Sequence, residues 1–215
     1  MTFIGRDVMK DQQLESKKVW DNAIRLFHWS LVIAFVVAYI TGEDESLVHS
    51  YSGYFILGLL VFRIIWGFVG CKHARFSDFI FSPKETINYT KSMMSGTPKH
   101  YWGHNPLGAL MVFALLITLV LTTVSGLKVY GIEGYGPLAE VNSSYFISNA
   151  NASGHMEQEG EDSEEEEFWE EIHEFFANLM LVLIALHIVG VVVSSKLHKE
   201  NLAKSMVTGY KSHKE

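Results

Sequence analysis

Glu170–Val191 reads EEIHEFFANLMLVLIALHIVGV, and its two histidines, His173 and His187, decide the architecture. They stand fourteen residues apart in an apolar run. On an α-helix that separation is a rise of about 21 Å and a return to within about 40° of the same face. Such a helix aims two imidazoles at its neighbours, one near each side of a hydrocarbon core about 30 Å thick. Ionisable side chains inside a membrane segment are costly, so they mark function by default.

Three further apolar runs, Leu26–Thr41, Tyr51–Val69 and Leu107–Leu127, join Phe175–Val193. Their continuous Leu, Val, Ile and Phe content lacks the alternation of barrel strands. The expected fold is therefore all-α: an integral membrane four-helix bundle, one domain over 1–215. Its spans fall at about 22–42, 49–70, 105–127 and 171–194. The segment before Trp20 is polar and has no apolar h-region, so the first span is expected to double as the targeting element.

Charge gives the orientation. Of 17 Lys and Arg, five precede the first span, five lie between the second and third, and five follow the fourth. Lys128 alone belongs to the opposite loops, and Arg63 lies within the second span. This strong positive-inside pattern puts both termini on the cytoplasmic side. The net charge of −7 hides the pattern, because most of the acid lies on the far side, with EQEGEDSEEEEFWEE one dense block of it. Basic residues spread along membrane flanks give no nucleic-acid surface.

The connections are legible in part. Ser82-Pro83-Lys84-Glu85 matches a capping box and predicts a helix to about Ser95, stopped by Gly96. Pro106 opens the third span. Residues 128–165 read as an acidic outer loop, with Ser163 capping the fourth span. Trp29, Trp66, Trp102 and Trp169 read as interface anchors.

On this topology the histidines sort by depth. His49 and His173 lie at the outer level, His28 and His187 at the inner one. A b-type haem needs opposed imidazoles at one depth on facing helices, and two such pairs are available. Cys71 is the only cysteine, so there is no CxxCH attachment, and any haem is held by ligation and packing. His104 and His73 also lie near the inner side and stand as substitutes for His28. His100, His155, His198 and His213 read as solvated.

Arg63 follows His49 by fourteen residues, on the same face and at the inner level. An arginine near mid-membrane costs about 2.5–3.5 kcal/mol on insertion scales. A haem propionate would offset that cost, with Arg25 assisting from the cytoplasmic edge; the alternative is that Arg63 snorkels to the headgroups. Gly53, Gly58, Gly126 and Gly190 would admit close approach of helices or of a flat macrocycle.

Five stretches carry a resemblance: RLFHW (25–29), HSYSGYFILGLLVFRIIWGFVGCKHARFSDF (49–79), GHNPLGALM (103–111), the quoted 170–191 segment and ENLAKSMVTGYK (200–211). Together they resemble the bacterial cytochrome b561 family, which includes the cytochrome b subunit of membrane nickel–iron hydrogenases. The resemblance implies a four-helix membrane bundle with two haems b, one on His28 and His187, the other on His49 and His173. It implies electron transfer between the quinone pool and a periplasmic redox protein, such as a c-type cytochrome or a hydrogenase. The acidic tract departs from the pattern; it suggests a partner with a basic surface, or a solvated loop. Superoxide:quinone oxidoreduction is a second reading, disfavoured by the negative outer charge. A haem-free metal transporter is a third, disfavoured because no Asp or Glu lies deep in the spans.

Overall fold

A computed structural model describes residues 15–42, 46–139 and 155–213. In chain order these residues form β1 (Glu15–Lys18), α1 (Asn22–Ile40), α2 (Leu47–Val69), α3 (Pro83–Met94), α4 (Pro106–Ile132), α5 (His155–His198), α6 (Leu202–Thr208) and β2 (Tyr210–His213). Two single 3₁₀ turns, Lys72–Ala74 and Phe76–Asp78, lie between α2 and α3. Four helices, α1, α2, α4 and the Glu164–His198 part of α5, are long and apolar enough to cross a membrane.

Local chemistry fixes where the helices start. Asp21 accepts from the Ile24 N–H at 2.8 Å, Ser46 from His49 at 3.3 Å, and Asn105 from Gly108 at 2.7 Å. Each side chain satisfies a donor that a helix leaves unpaired in its first turn. Ser82 does the same for Glu85 at 3.2 Å, with Pro83 opening α3 as the sequence predicts. Glu85 does not close the capping box; its carboxylate accepts from the Tyr101 hydroxyl at 3.0 Å.

Two helices differ from expectation. α4 runs past Leu127 to Ile132 and ends before Gly134, whose φ of +85° suits glycine. α5 begins at His155, so Ser163 lies inside a helix instead of capping one, and the loop expected over 128–165 is shorter. Glu and Met are good helix formers, and acidic residues near a helix N-terminus are favoured by its dipole. The part of the acidic tract ahead of Ser163 is thus drawn into the helix together with Glu164–Glu167, which were expected in its first turn.

Close seams join α1 to α2, α4 to α5 and α2 to α4. The buried centre is an apolar layer of Ala34, Ala38, Ile56, Leu60, Leu119 and Met180. Met180 lies midway between His173 and His187, so this layer separates the two histidine levels. Outward-facing side chains such as Ile33, Phe55, Phe68 and Ile188 remain more than half exposed, as a lipid-facing surface requires.

The two ends of the described chain meet. β1 pairs antiparallel with β2, Glu15 opposite His213 and Lys18 opposite Tyr210. Gly209, at φ +88°, turns α6 into β2, and its carbonyl accepts from Val19 at 2.9 Å and Trp20 at 3.1 Å. The sheet, α3, α6 and the 3₁₀ turns cap one end of the bundle. Lys211 is buried there, its ammonium donating to the Tyr101 carbonyl at 2.9 Å and lying 3.5 Å from Glu200.

Candidate haem-binding histidine pairs

At the uncapped end, His49 from α2 and His173 from α5 face each other. Their rings lie 6.0 Å apart and nearly perpendicular. Each ring is oriented through Nδ1. His49 Nδ1 lies 2.9 Å from the Ala38 carbonyl of α1, and His173 Nδ1 lies 2.9 Å from the Thr122 carbonyl of α4. A carbonyl only accepts, so both Nδ1 atoms carry the proton and both Nε2 atoms present a lone pair. A hydrogen bond on the far nitrogen is what orients and tautomerically fixes a metal-binding imidazole.

α4 supplies the cradle for His173. Ser125, fully buried, lies 3.2 Å from its Nδ1. A Cβ added at Gly126 would stand 2.8 Å from His173 Cε1, so only glycine lets the ring sit there. Sequence reading singled out Gly126 as a small residue but not Thr122 or Ser125. Their contribution is a carbonyl and a hydroxyl one helix away, for which the sequence has no signal.

At the capped end, His28 from α1 and His187 from α5 lie within electrostatic reach of each other. His28 Nδ1 is buried and has no hydrogen-bond partner. Arg63 is only 4% exposed, which rules out a snorkelled guanidinium. It lies over the Phe76 ring, 4.8 Å from its centroid, with Nη1 unpartnered. Arg25 is committed elsewhere in part: its guanidinium donates to Asn22 at 3.0 Å and to the Val207 carbonyl, clasping α6, while Nε has no partner.

The remaining histidines separate cleanly. His73 is bonded through Nδ1 to Asp78 at 2.8 Å. His104 is buried between Trp20 and Phe79, where desolvation and neighbouring cations push its pKa down to about 3. His100 and His198, expected to be solvated, are partnered instead: His100 with Glu200 at 2.5 Å, His198 with the Tyr89 hydroxyl at 3.2 Å. The folded cap, invisible in local sequence, draws them in. The side chains of His155 and His213 fall outside the described residues. Among the described residues, no three His, Cys, Asp or Glu side chains converge as a metal site.

The donor set fits a b haem. Opposed imidazoles, oriented from behind, with apolar walls and a glycine cradle, are a setting that could hold such a macrocycle. Membrane helices that present imidazoles to one another in this way define a class, the membrane b-type cytochromes. The profile of the prokaryotic cytochrome b561 family matches residues 19–209, and the chain belongs to that family. It is thus a multi-pass membrane b-type cytochrome that functions in electron transfer.

The chain is similar to a probable Ni/Fe-hydrogenase B-type cytochrome subunit of Cupriavidus necator, 24% identical over 97% of this chain and 92% of the relative. It is similar to the corresponding protein of Azotobacter vinelandii, 29% identical over 55% of this chain and 60% of that relative's length. A probable Ni/Fe-hydrogenase 1 B-type cytochrome subunit of Escherichia coli is 20% identical over 95% of this chain and 94% of its own. No solved structure matches.

Proposed function

We propose that this cytochrome carries two haems b and passes electrons across the bacterial inner membrane, between the quinone pool and a periplasmic redox protein. His49 and His173 would hold the outer group, His28 and His187 the inner one. The observation that carries this reading is the ring-to-ring approach of His49 and His173, with both Nε2 lone pairs left available. His28, His49, His173 and His187 would hold the haems, which would supply one-electron chemistry at iron.

The chain's own residues do the rest. The Ala38 and Thr122 carbonyls fix the tautomer and the ring orientation of the outer imidazoles. The layer around Met180 and Leu60 keeps water from the space between the two levels. Arg63 would neutralise a propionate on the inner side. The positive-inside charge pattern supports a cytoplasmic cap and periplasmic His49 and His173.

The named relatives are hydrogenase cytochrome subunits, which favours a hydrogenase as the periplasmic partner over a c-type cytochrome. The acidic Glu164–Glu167 turns of α5 would then meet a basic patch on that partner. Membranes carrying the full chain should show b-type absorbance that is reduced by quinol analogues. Substituting His49 with Ala should abolish transfer to an outer acceptor while the inner absorbance survives. A His49→Ala protein with both haems intact would overturn the reading.

A further inference from the structure

Besides His28 Nδ1 and Arg25 Nε, two buried side-chain nitrogens on the capped side have no hydrogen-bond partner: His104 Nδ1 and Arg63 Nη1. They are near enough to influence each other, and His187 reaches His104 as well. Aromatic rings fix both. His104 lies 4.8 Å from Trp20 and 4.6 Å from Phe79, centroid to centroid, and Arg63 rests on Phe76. Phe76 and Phe79 are themselves 5.9 Å apart, so one aromatic wall backs both groups.

The carboxylates nearby are already engaged. Asp21 accepts from Ile24 N and, at 3.1 Å, from the Trp66 indole. Asp78 holds His73, and Glu200 holds His100 and Lys211. Arg63 and Lys211 bring positive charge within reach of His104. Two unpartnered nitrogens beside one aromatic wall, one of them on a guanidinium, suit an anionic acceptor, with His104 in the tautomer that carries its proton on Nδ1.

We propose that His104 and Arg63 form one carboxylate clamp for a propionate of the inner haem, His104 as hydrogen-bond donor and Arg63 as counter-charge. This rests on the reading that His28 and His187 hold that haem. His104 is then a positioning residue and not a substitute axial ligand: its ring is packed against Trp20 and Phe79 and belongs to the cap, outside the helices that carry the paired imidazoles. Withdrawing an N–H from a propionate leaves more negative charge beside the iron, which favours the ferric state and lowers the potential.

The test is redox titration and resonance Raman spectroscopy of the purified holoprotein, with haem and lipid phosphate quantified. Wild type is compared with His104→Phe, His104→Asn and Arg63→Gln. The clamp predicts that His104→Phe keeps both haems, lowers the midpoint of the inner haem only, and shifts its propionate bending mode. His104→Asn, which keeps an N–H donor, should restore much of the wild-type signal. His104→Phe and Arg63→Gln combined should shift the inner midpoint by less than the sum of the two.

An unchanged inner midpoint and propionate mode in both His104 variants would overturn the clamp. So would a loss of bound phospholipid phosphate without a change in the propionate mode, which would assign the site to a lipid headgroup. If His104→Phe fails to fold, His104→Leu, which also removes the donor, takes its place: an unchanged inner midpoint and propionate mode in it would overturn the clamp. His28→Ala separates the two readings: if it leaves the inner haem in place, the ligand assignment fails; if it removes that haem while His104→Phe does nothing, only the clamp fails.

Discussion

Gly126 shows how little room the His173 ring leaves beside it. Any side chain there would drive into the His173 ring, displacing it from the Thr122 carbonyl. Gly126→Val is expected to lower occupancy of the outer haem several-fold, read as haem per protein, while the inner absorbance is kept. Gly53→Ala, whose added Cβ meets nothing within 4 Å, should leave both unchanged. Tyr101 makes a prediction in pH. Burial and its bond to Glu85 push its pKa from 10.0 up to about 12. A group raised on folding stabilises the protein below its unfolded pKa and loses that contribution as pH climbs through its folded one. Thermal stability in detergent should therefore fall between pH 10 and about 12 by more in wild type than in Tyr101→Phe. Equal losses would remove Tyr101 from the account.

Residues were legible where a chemical type met a periodicity. His28, His49, His173 and His187 stood out because helical depth sorts them without knowledge of contacts. Arg63 stood out because a charge in an apolar run demands an explanation, and its burial excludes the snorkelled alternative. His104 was not legible as a buried group. Its position depends on the 3₁₀ turns that bring Phe79 over it and on the β1–α1 junction that brings Trp20. Those contacts join segments far apart in the chain.

At the scale of elements, α5 is the ruler of the molecule. It carries one histidine of each proposed pair, and its helical register fixes their relative rotation. Inserting a single alanine after Met180 rotates one histidine about 100° relative to the other. One haem per chain should be lost, as measured by pyridine haemochrome against protein. Retention of full haem content would mean that α5 does not set the pairing. The helix starts were read from Ser82, Pro83 and Pro106 because capping is local chemistry. The start of α5 was misread because Ser163 offers a cap that a favourable acidic helix overrides. Strands β1 and β2 were not read at all: four residues each, and paired across nearly the whole chain.

At the scale of the whole molecule, the described chain is a bundle closed at one end by its own termini and presenting facing histidines toward both ends. Arg25, Trp29 and the Gly209 carbonyl clasp α6 and β2 to the start of α1. The apolar layer of Ala34, Ala38, Ile56, Leu60, Leu119 and Met180 fills the bundle between the two histidine levels. The central claim is that two haems b occupy those levels on four histidines. Pyridine haemochrome analysis with protein quantitation on the purified full chain tests it most directly. The account predicts two non-covalent protohaems per chain, falling to one in His49→Ala or His173→Ala; a colourless preparation from haem-replete cells, or a count unmoved by both substitutions, would contradict it.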